Sequence, residues 1–357
     1  MRIMVVDDSI VFRSQISSAL TGVEGIEIVA TAANGKIALQ KLEQLQVDLI
    51  TLDMEMPELN GLETLKLIRS RGLKVKVIVF SSQTIRGAEK ALEALREGAD
   101  DVVAKPEGDA VNFDTALLSI RSSLVPRVKQ FQTLKAPTQM PLYTGETILK
   151  PWPAAVPAKS IKQRIQGFDP QAIVIASSTG GPTALETIFS QLKGPFKKPI
   201  FLVQHMPPVF TQILAKRLST LTDTPATEAI SSQKVQSNSF LVAPGDYHMV
   251  LNKQADGVYA TLNQTALRQS VRPAADNLFE TASEIYGNQL LGIVLTGMGE
   301  DGLAGVKQVR AKGGRVLIQN KETCVVFGMP GACFIQDEYD EIASLDGIVQ
   351  LLKGILK

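Results

Sequence analysis

From Met1 to about Leu124, short aliphatic runs (IMVV, IEIVA, VDLITL, VKVIVF and DVVA) alternate with stretches of helical period. Runs so short and so apolar suit strands buried on both faces, and their alternation with helices predicts a parallel sheet covered by helices. Five of them predict a five-stranded, doubly wound first domain over residues 1–124. Between about Val125 and Asp169 the pattern stops, and proline recurs at 126, 137, 141, 151, 153 and 157 among frequent Lys and Gln. That composition predicts an interdomain linker over 125–169. The only tryptophan, Trp152, lies there between Pro151 and Pro153 and is expected to be a docking contact, because leaving its ring in water forfeits its burial. Over 170–357 the runs AIVIA, IFLVQ, SFLVA, YHMVL, LLGIVL and RVLI again alternate with helices or turns, predicting a second doubly wound α/β domain. The segment Ser239 to Leu251, broken at Pro244-Gly245-Asp246, is expected to be a hairpin, which makes the mostly parallel sheet a mixed one.

In an open parallel sheet, ligands bind in the crevice outside the carboxyl ends of the strands. Chemistry-bearing residues collect at those ends in both halves. In the first half Asp7 and Asp8 follow IMVV, Asp53 ends DLITLD, Ser81 ends VKVIVF and Lys105 follows DVVA. Clustered carboxylates repel unless they share a cation, and hard oxygen ligands suit Mg²⁺. A lysine beside them would neutralise an incoming phosphoryl group. In the second half Ser178 lies beyond AIVIA, His205 follows IFLVQ and Asp301 comes just after GIVLTGMG, which together offer a nucleophile, a base and an orienting carboxylate.

Ser178 sits in ASSTGGPTALE, a strand, a glycine turn and then a helix. Gly180 and Gly181 permit close backbone approach, and amides at the helix start could hold an oxyanion. The same turn could cradle a phosphate, but G-x-G-x-x-G and the P-loop lysine are missing, as is the G-x-S-x-G elbow. The chain has two histidines; His205 leaves an apolar strand at the reactive end of the sheet, whereas His248 lies within YHMVL. Asp301, at a helix start, could serve as an N-cap and still orient an imidazole.

Lys and Arg number 37 against 36 Asp and Glu, so no global basic field draws nucleic acid or an anionic membrane. The two cysteines, Cys324 and Cys333, suggest a reducing compartment. No apolar run approaches the ~18 residues of a membrane span, and the chain opens directly into a strand without a cleavable leader. The expectation is a cytoplasmic protein without nucleic-acid partner or membrane insertion.

Residues 1–124 resemble the receiver domain of two-component response regulators, through VVDDS, LDMEMPELNGLE, VFSS and the AKP ending. The resemblance implies a flavodoxin-like fold in which Asp53 accepts a phosphoryl group from a histidine kinase. Asp8, Asp53 and the Glu55 carbonyl would bind Mg²⁺, with Asp7 helping through water, and Ser81 and Lys105 would contact the phosphoryl oxygens. Many receivers carry an aromatic switch residue three positions before the lysine; here that position is Val102.

Residues 170 to about 350 are similar to the catalytic domain of the chemotaxis protein-glutamate methylesterase family, through ASSTGGP, QHMPPVFT, VAPGDYHM, SVRPAAD, GIVLTGMGEDG and CVVFGMPGA. That resemblance implies Ser178 as nucleophile, His205 as base and Asp301 as orienting acid, with Thr179 and Met298 near the site and the Met298 backbone a candidate oxyanion donor. It further implies a phosphorylation-activated hydrolase that demethylates glutamyl methyl esters, and deamidates glutamines, on the cytoplasmic helices of chemoreceptors. No metal would enter the hydrolysis; Mg²⁺ would serve phosphorylation only. A DNA-binding response regulator conflicts with the missing helix-turn-helix and the near-zero charge. A non-catalytic binding module on the same α/β scaffold is the remaining alternative.

Overall fold

The aliphatic runs of the first half form β1 (Arg2–Val6), β2 (Glu27–Ala32), β3 (Leu49–Asp53), β4 (Lys76–Ser81) and β5 (Asp101–Ala104). Between and after them run α1 (Ile10–Leu20), α2 (Gly35–Gln44), α3 (Gly61–Ser70), α4 (Ile85–Arg96) and α5 (Phe113–Thr133). This computed structural model describes residues 1–106, 113–133 and 165–356. The chain divides into two units, Met1–Thr144 and Gly145–Lys357.

In the first unit every strand pairing is parallel, in the order β2-β1-β3-β4-β5, the predicted five-stranded architecture. α1 packs on α5, while α2, α3 and α4 pack in series, so both faces are covered. The side chains of Ser9, Asn34, Asn60 and Thr84 each accept a hydrogen bond from an amide three residues on, which satisfies an orphan donor and starts the helix there. α5 continues through Pro126 to Thr133, past residue 124, where the helical pattern was expected to stop. The missing proline amide leaves a carbonyl without its usual donor, and local bonds such as Arg127 Nη1 to Ser123 O at 2.6 Å support that stretch. The rest of the expected linker, Trp152 included, lies outside the described residues.

The second unit runs β6 (Ala172–Ser177), α6 (Gly181–Phe189), β7 (Ile200–Gln204), α7 (Phe210–Leu221), β8 (Ala226–Glu228), β9 (Gln233–Lys234) and β10 (Phe240–Val242). It continues with β11 (His248–Gln254), β12 (Gly257–Asn263), α8 (Ala275–Tyr286), β13 (Leu290–Val294) and α9 (Leu303–Ala311). The last elements are β14 (Arg315–Gln319), α10 (Met329–Ile335), β15 (Glu341–Ala343) and α11 (Leu345–Ile355). Its main sheet has the order β15-β14-β13-β6-β7-β10-β8. The chain leaves β6 toward β7 and later returns on the opposite side through β13, so the order reverses at β6, where such sheets open a crevice.

The hairpin lies elsewhere than expected. β10 pairs in parallel with β7 and β8, and the antiparallel partners are β11 and β12, from His248 opposite Asn263 to Gln254 opposite Gly257. With β9 they form a separate three-stranded sheet, so the main sheet is parallel rather than mixed. Burial explains the division. Phe240, Leu241 and Val242 are covered on both faces, as only an interior strand allows, whereas β11 is buried at its start and exposed at its end.

Candidate active site and acidic pocket

Ser178, His205 and Asp301 are carried to one end of the sheet because β13, β6 and β7 are neighbours. β6 and β7 are in register with Ser177 opposite Gln204, so Ser178 and His205 are the next residues and leave the sheet side by side. The His205 amide donates to Ser177 O at 3.2 Å. Asp301 arrives beyond β13 and places Oδ2 2.7 Å from His205 Nε2. Its carboxylate also accepts from the first two amides of α8, Ala275 N at 2.6 Å and Asp276 N at 3.1 Å. Asp301 therefore caps α8 from across the fold; α9, the helix that follows it in sequence, begins without a side-chain cap. Burial alone would raise its pKa, but the His205 bond and charge and the α8 amides outweigh it and hold the carboxyl below its usual range.

The glycine turn is as tight as expected. Gly180 has φ +78°, and a Cβ there would lie 2.5 Å from Val325 Cγ2. At Gly181 a Cβ would lie 2.0 Å from Gln204 Oε1. The Ser178 amide donates to Thr296 O at 3.0 Å, which lays the Thr296–Met298 segment alongside the turn. Thr179, on that turn, accepts at its carbonyl from Thr296 Oγ1 at 2.9 Å. Among the described residues, no acceptor meets the Met298 amide.

Both ring nitrogens of His248 are committed to backbone, Nδ1 accepting from Ala274 N and Nε2 donating to Ala266 O, each at 3.1 Å. His205 differs: among the described residues, Nδ1 meets no protein partner.

Three polar residues that support the turn were missed at the sequence level. Gln204 accepts from Ser177 Oγ at 2.6 Å and donates to Ser178 O at 3.0 Å. Gln319 Oε1 accepts from Thr296 N at 2.8 Å, and Thr296 bonds Thr179 as described. Their signal was a polar residue closing or following an otherwise apolar strand, in IFLVQ, RVLIQ and GIVLT.

In the first unit Asp7, Asp8 and Asp53 present carboxylate oxygens within 4.8 Å of one another. Lys105 Nζ lies 3.1 Å from Asp7 Oδ2 and 2.8 Å from Asp53 Oδ2. Those two oxygens are buried and lack a well-directed hydrogen-bond donor, a deficit that a hard divalent cation would relieve. Burial is the main cause of the raised pKa values of Asp7 and Asp53; Lys105 opposes it at both, and Asp7 adds to it at Asp53, which reaches about 6. Burial opposes the charge on Lys105, yet the two carboxylates prevail and hold its pKa up. Glu55 follows the cluster, its amide donating to Asp53 Oδ1 at 3.2 Å and its side chain paired with Lys90 at 2.8 Å. Ser81 is at the expected strand end, and its hydroxyl donates to Gly87 O at 2.7 Å. Val102 is buried on β5 opposite Val79.

Comparison with known proteins identifies the family of each half of the chain. Residues 173–352 match the family model described as CheB methylesterase, and residues 3–114 match the response regulator receiver domain. A protein-glutamate methylesterase/protein-glutamine glutaminase of Trichodesmium erythraeum is 39% identical, covering 98% of this chain and 97% of its own. One from Archaeoglobus fulgidus is 36% identical over 100% of this chain and 97% of its own. The crystal structure of the Thermotoga maritima CheB methylesterase catalytic domain is 39% identical with a TM-score of 0.50, covering 52% of this chain and 98% of that one.

Gln204→Leu should leave Ser177 Oγ buried without its partner and Ser178 O with the Gly181 amide alone. The expected loss in stability of the second unit is roughly 1–3 kcal/mol in urea unfolding; an unchanged midpoint would mean that the turn does not depend on this side chain.

Proposed function

The chain belongs to the CheB methylesterase family, and we propose that Ser178, His205 and Asp301 act as nucleophile, base and orienting acid in hydrolysing glutamyl methyl esters, and glutamine amides, of chemoreceptors. The observation that carries this reading is the register of Ser177 opposite Gln204 together with the 2.7 Å bond from His205 Nε2 to Asp301. An ionised Asp301 can only accept, so Nε2 carries the ring proton and the free lone pair is on Nδ1. That nitrogen takes the Ser178 proton as the hydroxyl oxygen attacks the ester carbonyl. Asp301 steadies the imidazolium that results. The Met298 amide and the amides of the turn after Ser178 stabilise the oxyanion. Collapse of the tetrahedral adduct expels methanol, which takes its proton from Nδ1. Water, deprotonated by the same nitrogen, then cleaves the acyl-serine to free glutamate.

The receiver half accepts a phosphoryl group at Asp53 from a histidine kinase. Asp8, Asp53 and the Glu55 carbonyl would hold Mg²⁺, with Asp7 assisting through water; the cation would neutralise phosphoryl oxygens, and Lys105 would add its own charge. Among the described residues, no helix is long and apolar enough to cross a membrane; the reading assigns the chain to the cytoplasm, where the receptor helices lie.

Ser178→Ala should fold and lose activity by about three orders of magnitude or more, measured as methanol release from methylated receptor; a near-normal rate would place the nucleophile elsewhere. Because burial raises the Asp53 pKa to about 6, protons compete with the cation as pH falls through that value. Mg²⁺ binding, followed by calorimetry on the full chain, should be about tenfold weaker at pH 5 than at pH 7. Equal affinity at the two values would remove Asp53 from the ligand set.

A further inference from the structure

His248, which the hydrolysis just described does not use, opens β11 and is wholly buried. Its bonds define one tautomer. The Ala266 carbonyl can only accept, so Nε2 carries a proton; the Ala274 amide can only donate, so Nδ1 must be bare. A second ring proton would point at the Ala274 N–H. Ala274 is the N-cap of α8 and has no side-chain cap of its own. The opening amides of this helix are therefore divided between two side chains: His248 takes that of Ala274, and Asp301 takes those of Ala275 and Asp276.

We propose that neutral His248 is a positioning residue for ester hydrolysis, holding the start of α8 so that Asp301 keeps His205 in its reactive orientation. The proposal rests on the reading of Ser178, His205 and Asp301 given above. A helix start displaced by a fraction of an ångström would move both amides on Asp301, and misplacement near 1 Å costs on the order of 100-fold in rate. The charged groups around His248 favour its neutral form. Burial pushes its pKa below the usual histidine range, Arg272 and Arg268 push the same way, and the Ala266 carbonyl and Asp301 oppose them. Both arginines are themselves engaged, Arg272 with Asp246 at 2.6 Å and Arg268 with Glu280 at 2.6 Å and Asp276 at 3.3 Å.

The test uses the full chain and two substitutions. His248→Asn keeps an acceptor that can stand in for Nδ1, and His248→Leu has none. In His248→Leu, kcat for methanol release should fall roughly 10–100-fold with KM nearly unchanged, and the NMR resonance of the His205 Nε2 proton should shift as its bond to Asp301 is displaced. His248→Asn should recover most of kcat. The pH profile of wild-type kcat should show a second acid ionisation, which His248→Asn lacks. If His248→Leu fails to fold, that pH profile decides alone: persistence of the second ionisation in His248→Asn overturns the proposal. Wild-type kcat and an unmoved His205 Nε2 proton resonance in His248→Leu also overturn it. Ser178→Ala keeps the two readings apart, since an active Ser178→Ala sinks the triad, whereas an inactive one beside an unimpaired His248→Leu sinks only this proposal.

Discussion

A buried carboxylate at the start of a helix is the constraint on which the second unit turns. Asp301 is 3% exposed, and an ion so placed survives only with partners for its oxygens. It finds them in two α8 amides, the Gly302 amide and one imidazole. The same bonds couple three elements that are distant in sequence, namely the loop after β13, the start of α8 and the end of β7. The proposed chemistry needs an imidazole held in one tautomer, and the stability of the buried charge needs the same geometry. Packing serves it too, for α8 lies against β13, β6 and β7 and brings its amides to the reactive end of those strands.

The first unit manages buried charge in the opposite way. Asp7 and Asp53 have raised pKa values, caused chiefly by burial, and share a single lysine. Asp301 is satisfied by fixed amides; the acidic pair is left with oxygens that lack well-directed donors. A satisfied carboxylate suits the rigid frame proposed for catalysis, and a buried pair sharing one lysine suits the pocket proposed to take up a cation and a phosphoryl group. Two doubly wound sheets thus place acids at equivalent strand ends and give them different work through what surrounds them.

Most of this was legible in the sequence where one rule governed. Aliphatic runs of four to six residues named the central strands, and polar residues just beyond them named Ser178, His205, Asp53 and Lys105. The failures occurred where tertiary context overrode a local signal. Pro244-Gly245 reads as a hairpin turn but carries the chain between two sheets, because the fully buried β10 needs neighbours on both edges. Pro126 reads as a helix stop, yet α5 passes through it. Asp301 reads as a cap for the helix after it and caps one before it instead. Gln204, Thr296 and Gln319 went unnoticed because a glutamine or threonine closing or following a strand is ordinary, and only the fold shows that each bonds the segments around Ser178.

In the proposed mechanism Asp301, through His205, makes Ser178 a nucleophile. An organophosphonate that reacts with activated serines tests it without receptor, kinase or phosphodonor, when the labelled residue is identified by mass spectrometry in the wild type and in Asp301→Asn. Labelling confined to Ser178 and slowed by two or more orders of magnitude in Asp301→Asn is the predicted result. Labelling of Ser178 at the same rate in both proteins, or of another residue, would contradict it.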